Sequence, residues 1–385
     1  KIADDYGLSS LKFIYTIEQE AGQKRTQKVD VEAVKGTLHK FDFAVDFRRE
    51  KIQLNDIITY YFLVYDNDGV NGHKATKSDS RTYELPSLEE LNEQRKEEQN
   101  EQIKELEDVF KKMQQFNKDV QQLKKETNQS KSNNWNKLNK VEKLQQEQLQ
   151  LQQQIQESLE EMKQSTDQKN QLSPLDEQLL EKQARLEELL KEVMDDELKA
   201  LLDQLEALLK EQDKEQSKDK LEQLQQSSED MNKQLDRSLE LLKKMQVNER
   251  IDDLEKELNQ LAKEQEDLKD ETPNLSKEEL LQKQKELNEK FEDVKKELKE
   301  VQELNKDLAR PLDLDILDAL EQQVSDDLQN AAQEISEGKS KKAGEKQKSA
   351  ADGMKAMSSQ LNAKQNQSNK QQQEEDMESL RAILE

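Results

Sequence analysis

The chain has 385 residues, of which 31% are hydrophobic and 38% are charged, with a net charge of −25 and no cysteine. Globular domains are typically about 45 to 50% apolar and about 25% charged, which excludes a large core running through the whole chain. A polyanion gains little from phosphate backbones, which bind clustered lysine and arginine, so nucleic acid is excluded as a partner and anionic membrane surfaces are disfavoured. The absence of cysteine excludes disulfides and thiolate catalysis without indicating a compartment.

Aromatic residues and charge divide the chain into two parts. Eleven of the fifteen aromatic residues precede residue 87, and beyond it 48 Lys and Arg face 72 Asp and Glu. The side chains that form cores are therefore concentrated at the N-terminal end. No apolar run approaches the roughly 18 residues that indicate a membrane span, and the start "KIADDYGLSS" is typical of an internal fragment.

Alternating apolar residues predict strands in the first part. Residues 11–17 and 41–47 alternate as half-buried strands do. Residues 57–65 are apolar or aromatic at both odd and even positions, as expected of a central strand covered on two faces. Weaker strands are placed at 27–34 and 81–85. Together they predict a small all-β, immunoglobulin-like sandwich over residues 1–86 whose first strand is missing.

The loop after the central strand offers hard oxygen ligands. Asp66, Asn67 and Asp68 precede a glycine, as ligands of calcium loops do. A distal bidentate Glu is missing, and the same residue types form ordinary turns. We favour a structural turn and keep calcium as the alternative. The only histidines, His39 and His73, have no neighbouring group that indicates catalysis and are interpreted as surface or turn residues.

Beyond residue 87 the composition predicts helices. Glu, Lys, Leu and Gln dominate, and all are good helix formers. Ser87 and Glu90 have the spacing of a capping box at the first helix. Polar stretches at 124–134 and 163–173 predict bends, and we weigh a further interruption at 211–220. The predicted organisation is a helical hairpin at 87–172, long coiled-coil helices at 173–310, an amphipathic helical pair at 311–362, and a Gln-rich linker with the start of another helix at 363–385.

A heptad pattern marks one helix as a binding element. Pro273 ends the preceding helix, and Ser276 with Glu279 forms a second predicted capping box. The heptad register places Leu280 at a d position and the polar Gln284 and Asn305 at a positions. Polar residues at a positions weaken a coiled coil but specify its register and partner. A comparable apolar seam at 251–268 favours an antiparallel hairpin within the chain, with a parallel dimer as the alternative. The predicted partner-binding seam consists of Leu287, Phe291, Val294, Leu298, Val301, Asn305 and Leu308.

Several phrases together resemble a known family. They are "DDYGLSSLKFIYTI", "YYFLVYDNDGVNGHKATKS", "ELPSLEEL", "LDRSLELLKKMQVNERIDDLEKELNQLAKEQEDL" and "QEEDMESLRAILE". Over nearly its whole length the chain resembles an uncharacterised bacterial envelope family, the domain of unknown function numbered 4175. The resemblance implies immunoglobulin-like modules, a long helical region and a periplasmic location, with an inner-membrane anchor outside these residues. It implies no catalytic residues.

The sequence therefore predicts a non-enzymatic structural or adaptor protein without a cofactor. Its helical arm would span distance and bind other envelope proteins, or a further copy in a homo-oligomer. The alternative is a holdase-like periplasmic chaperone whose apolar stripes enclose unfolded clients. An enzyme would need a concave pocket with a perturbed titratable group, and the abundant carboxylates are interpreted as solvated helix faces.

Overall fold

A computed structural model describes residues 2–3, 5, 7–19, 22–32, 36–45, 47, 50, 52, 56–68, 73–84, 88–129, 134–172, 177–194, 196–271 and 275–384. The chain divides into two compact units, Lys1–Asn100 and Glu101–Glu385. A small β-sheet region is followed by a long helical region, as predicted. The first unit extends beyond the predicted boundary at residue 86, because it includes the first turns of the first helix.

The β region contains seven described strands in two antiparallel sheets. The larger sheet has the order β3-β2-β5-β6, with β7 also paired to β5, and β1 pairs with β4 in a two-stranded sheet. The central position predicted for residues 57–65 is confirmed, because β5 has neighbours on both sides. The strands are β1 (Ile2–Ala3), β2 (Leu8–Glu18), β3 (Lys24–Glu32), β4 (Leu38–His39), β5 (Ile57–Asp66), β6 (Ala75–Lys77) and β7 (Arg81–Glu84).

One face of the larger sheet carries the core of this unit. Phe13, Tyr15 and Ile17 of β2 are buried on it together with Ile58 of β5. The predicted strand at 41–47 is wrong, since its described residues join no ladder. Its alternation still reports burial correctly, because Phe43, Val45 and Phe47 pack against this core. Alternation encodes which side chains face the core, whereas a strand also needs a neighbour for its backbone groups.

A tight hairpin fixes the register of β2 and β3. The Gln19 amide donates to the Gln23 carbonyl over 2.9 Å, and the Gly22 amide donates to the Gln19 carbonyl over 2.7 Å. Gly22 has φ +78, the left-handed conformation that a three-residue hairpin loop requires. The pairing then continues without a shift from Glu18 opposite Lys24 to Lys12 opposite Asp30.

Eight described α-helices follow. The central α5 has 58 residues and is about 87 Å long at 1.5 Å per residue. The capping box at its successor is confirmed, because Ser276 and Glu279 exchange both bonds; Ser87 lies outside the described residues. The helices are α1 (Leu88–Asn128), α2 (Asn134–Leu172), α3 (Glu177–Val193), α4 (Glu197–Glu211), α5 (Lys214–Glu271), α6 (Lys277–Lys306), α7 (Asp318–Ser336) and α8 (Ser340–Leu384).

The second unit contains two antiparallel packings of four helices each, which share α5. The first bundle comprises α1 beyond residue 100, α2, the broken helix α3–α4 and the N-terminal half of α5, and its apolar cluster ends at Met245. The second bundle comprises the remainder of α5 with α6, α7 and α8, and its cluster begins at Val247. Up-down-up-down neighbours in this arrangement are typical of four-helix bundles.

Polar pairs between neighbouring helices establish the order around each bundle. In the first bundle they are Asp119–Lys143, Gln145–Asp203, Glu197–Ser227 and Glu107–Lys243. In the second bundle they are Glu264–Lys290, Lys295–Glu321, Asp327–Lys346 and Lys355–Glu266. In each ring the last pair returns to the helix that began the ring, so both packings are closed.

The predicted bend at 124–134 is confirmed, because α1 ends at Asn128 and α2 begins at Asn134. The bend at 163–173 is wrong for its described part, because α2 continues to Leu172, whereas the interruption at 211–220 is confirmed at Gln212, which has φ 59. The Gln-rich stretch after residue 363 is helix and no linker, because α8 extends to Leu384. Lys, Gln and Glu favour helix intrinsically. The Gln-rich stretch is therefore helical although it has no apolar stripe for packing.

Candidate functional site

The predicted partner-binding seam lies along α6, with Leu308 just beyond its end, and is buried. None of its seven residues is more than 6% exposed. The heptad register is confirmed, because α6 buries Leu280 and Gln284 in the same periodic pattern. The seam also shares one apolar cluster with side chains of α5, α7 and α8.

The partners of this seam are helices of the same chain. Arg250 contacts Glu300 at 3.0 Å and Glu264 contacts Lys290 at 2.8 Å, so residue numbers rise along α5 as they fall along α6. This confirms the predicted antiparallel hairpin. The seam is therefore an internal core rather than an open face for another protein. The residues to which this correction applies are Leu287, Phe291, Val294, Leu298, Val301, Asn305 and Leu308.

A layer of three glutamines crosses the second bundle. The Gln265 and Gln284 amides exchange two hydrogen bonds, of 3.1 and 2.8 Å, and Gln347 donates to Gln284 over 3.0 Å. All three side chains are fully buried. Each comes from a different helix, so this glutamine layer joins α5, α6 and α8. Buried polar groups weaken a core but disfavour registers that would separate them.

Asn305 acts at the turn after α6. Its amide donates to the Leu312 carbonyl and accepts from the Leu312 amide, both at 2.8 Å. These two bonds imitate a strand pair and hold the chain as it turns from α6 towards α7. The polar a position that we predicted to select a partner thus fixes a turn within the chain.

The helix α5 is buried on every side where the two bundles meet. Met245, Gln246, Val247 and Asn248 are consecutive buried residues. Four consecutive residues cover every face of a helical turn, and an amphipathic helix would expose at least one of those faces. This turn of α5 therefore has packing neighbours on all sides. Beside it the Arg250 guanidinium, with only 7% of the side chain exposed, lies 3.0 Å from the Glu300 carboxylate.

The C-terminal part of α8 extends from the second bundle to the first. Gln365 donates to the Asn248 carbonyl over 3.1 Å and to the Asp252 carboxylate over 2.7 Å. Four residues later Asn369 accepts from Lys182 of α3 at 3.3 Å. The contacts of α8 thus connect the shared helix to a helix of the first bundle. Burial raises the pKa of Asp252, although Gln365 and Lys256 oppose this shift.

The calcium candidate forms a hydrogen-bonded turn. One Asp66 carboxylate oxygen accepts from the Lys74 amide over 2.8 Å and from the Asp68 amide over 3.3 Å. The Asn67 amide donates to the Gly7 carbonyl over 3.1 Å, and His73 Nδ1 lies 2.8 Å from the Asp66 carbonyl oxygen. Backbone donors bind one carboxylate oxygen of Asp66, which is how an Asp stabilises an ordinary turn, and this supports the turn interpretation.

Each of the two units contains a buried group with a shifted pKa. Burial, aided by a 2.8 Å bond to Glu50, raises the pKa of Tyr15 to about 12. Arg25 holds the same carboxylate at 2.6 Å, so this cluster ties an irregular segment to the sheet. In the first bundle burial lowers the pKa of Lys137, and the nearby charge of Lys214 adds to that shift.

Sequence analysis missed residues whose spacing would have found them. Gln265 continues the series at 251, 254, 258 and 261, and Gln347 lies within the periodic stripe of α8 between Ala343 and Ala350. Both were omitted because they are polar. Arg250 and Gln365 offer no such signal, since α5 and α8 contain many similar side chains on exposed faces.

No grouping of three or more His, Asp or Glu side chains in the described residues is placed to hold a metal ion. The helices that the structure describes include none with the length and apolarity to cross a bilayer. Comparisons with protein-family models, curated proteins and solved structures found no significant match to the chain. The resemblance to the envelope family therefore remains a prediction.

Proposed function

We propose that the chain is a non-enzymatic structural or adaptor protein of the bacterial cell envelope, located in the periplasm and held by an inner-membrane anchor outside these residues. The family resemblance supports the location. The observation that carries the mechanical role is the uninterrupted α5, whose 58 residues belong to two bundles in succession. A helix covered by partners over its length keeps a fixed rise per residue and so holds two binding regions apart.

We also propose that the β region is an immunoglobulin-like module. The support is that Phe43, Val45 and Phe47 of an irregular segment pack against one face of its larger sheet. The helical region, with its buried heptad positions, supplies coiled-coil-like packing within the chain. Partner proteins would meet charged outer helix faces, because the apolar seam of α6 is already covered.

Rigidity of the shared helix can be measured directly. Glu222 and Lys256 are both on α5 and have side chains 76% and 78% exposed. The chain has no cysteine, so spin labels at Glu222→Cys and Lys256→Cys report one distance. We expect a narrow distribution near about 51 Å, from 34 residues at 1.5 Å each. A broad or much shorter distribution would show that α5 bends at the junction and would overturn the spacer role.

Adaptor activity requires a second experiment. The full-length protein, cross-linked in the bacterial envelope and recovered with its neighbours, should yield a recurrent set of envelope proteins. A matched control adds three glycines after Gln246, which leaves both apolar clusters but breaks the helix between them. If the variant with the three glycines captures the same neighbours, cross-linked at the same positions as in the parent, the proposal is contradicted.

The holdase alternative has less support. A holdase would need its apolar stripes exposed to clients, yet the α6 seam is satisfied within the chain. The protein is therefore expected not to suppress aggregation of an unfolded client at equimolar concentration. Efficient suppression would favour the chaperone instead.

A further inference from the structure

The strand β3 forms an open edge of the larger sheet. In the described residues β3 pairs with β2 alone, and between Lys24 and Val31 its side chains are exposed except for those of Val29 and Val31, which are half-buried. It is nine residues long, and an exposed strand edge presents unpaired amides and carbonyls to any added strand.

The hairpin determines which backbone groups point outwards. Gln19 and Gln23 form a hydrogen-bonded pair, and hydrogen-bonded and non-bonded pairs alternate along an antiparallel ladder. Continuing the register, residues 25, 27 and 29 bond to β2. The amides and carbonyls of Lys24, Thr26, Lys28 and Asp30 therefore point away from β2, into the open edge.

Charge along this edge is unevenly distributed. Lys24, Arg25 and Lys28 lie towards the start of β3, and Asp30 and Glu32 lie at its end. The side chains of Lys24 and Asp30 are 59% and 82% exposed, although each also contacts a charge within the sheet. An antiparallel copy of the same strand would bring the basic start of one β3 beside the acidic end of the other.

We propose that β3 pairs with β3 of a second copy of this chain, antiparallel and centred on Gln27, to make one continuous sheet. In this register Lys24 lies opposite Asp30 and Thr26 opposite Lys28, twice each, and each of the four pairs forms two hydrogen bonds. A two-fold axis makes the contact self-complementary.

Charge selects this register over its neighbour. Centring the pair on Lys28 would also align the outward backbone groups, but it would place two lysines opposite each other. Like charges directly opposite destabilise a sheet, and opposite charges stabilise it. Lys28 thus disfavours the register centred on itself, whereas the register centred on Gln27 places no like charges opposite each other. The inference is independent of the adaptor proposal, because it concerns only the β region.

A single strand pair makes a small interface, so we expect weak association. Sedimentation of the full chain between about 10 and about 500 µM, a range suited to weak interfaces, should show a reversible dimer. Asp30→Lys should weaken dimerisation about tenfold or more, because it opposes two lysine pairs. Lys24→Asp with Asp30→Lys should restore it, since the swapped charges are again complementary.

Two further variants test the backbone and the register. Lys28→Pro removes an outward amide without removing a bond to β2 and should also weaken the dimer. Gln27→Cys places one thiol opposite its own copy within reach of a disulfide, so oxidation should link two chains readily. Thr26→Cys is the matched control, because Thr26 lies opposite Lys28 and its two copies are displaced along the strands.

The outcomes decide the proposal. A chain that stays monomeric throughout the concentration range overturns it, as does a dimer that Asp30→Lys and Lys28→Pro leave unchanged while circular dichroism shows native folding. A dimer that the charge swap fails to restore, or equal cross-linking of the two cysteine variants, overturns the register centred on Gln27.

Discussion

The two bundles bury polar side chains in different ways. In the first bundle Ser217, Ser228 and Ser238 are fully buried, and each hydroxyl donates to the backbone carbonyl three or four residues earlier in the chain. In the second bundle the polar bonds run between helices, through the glutamine layer and through Asn259, which donates to Ser358 over 2.8 Å.

This difference concerns specificity more than stability. A serine bonded within its own helix is satisfied whichever neighbour packs against it. A glutamine bonded across helices is satisfied only when its partners lie at the same level. The buried glutamines of the second bundle are therefore satisfied in one register only, whereas the buried serines of the first bundle impose no register.

The largest expected loss of stability comes from removing a large buried side chain from the core of one bundle at a time. Phe116 and Phe291 are each 1% exposed in the first and second bundle. Replacing either by Ala should cost about 3 to 5 kcal/mol. Hydrogen exchange should increase first in α1 to α4 for Phe116→Ala and in α6 to α8 for Phe291→Ala. Equal acceleration in both bundles would show that α5 makes them one cooperative unit.

Sequence predicted the second bundle better than the first for a related reason. The seam on α6 repeats strictly, and Ser276 and Glu279 mark where that helix begins, so its buried face could be deduced. The break near Met194 could not, because most residues of α3 and α4 are strong helix formers and no Gly or Pro lies between residues 177 and 211. The heptads predicted that this face of α6 is buried. They could not predict that α8 packs against it, because that contact depends on residues far apart in the sequence.

Close packing by glycine is confined to the second bundle, because the first contains no glycine. A Cβ added at Gly353 would lie 2.5 Å from Val324 Cγ2, whereas one at Gly344 would meet Lys269 at an ordinary 3.6 Å. We expect Gly353→Ala to destabilise by about 1 to 3 kcal/mol. Gly344→Ala should stabilise by about 0.5 to 1 kcal/mol through helix propensity. Denaturant unfolding measures both, and equal effects would refute the close approach of α7 and α8.

The glutamine layer can be compared with a buried serine. Gln284→Leu leaves the amides of Gln265 and Gln347 without their shared partner, and should cost about 1 to 2 kcal/mol after the gain in apolar burial. Ser228→Ala removes only a local bond and should change stability by less than about 0.5 kcal/mol. Replacing all three glutamines by Leu should recover stability but allow register shifts, visible as broadened amide resonances. Sharp spectra in the triple variant would contradict a role in register.

The smallest effect distinguishes the bundles by pH. Burial is the largest cause that raises the pKa of Glu255 on α5, which accepts from Asn362 of α8 at 3.0 Å. The bond from Lys140 is the largest cause that lowers the pKa of Glu126 on α1. A raised carboxyl pKa destabilises the fold above that pKa and ceases to do so as the pH falls through it. A lowered pKa stabilises the fold above the ordinary value of 4.5 and is lost below it.

Glutamine variants of these two residues should therefore behave oppositely. At pH 7 Glu255→Gln should be slightly more stable than the parent, since Gln keeps an acceptor for Asn362 without a buried charge, and Glu126→Gln should be less stable. The Glu255 difference should shrink as the pH falls from 7 towards 4.5, while the Glu126 difference should persist until the pH falls below 4.5. Thermal unfolding across this range measures both, and shifts of the same sign would mean that burial does not govern the α5–α8 contact.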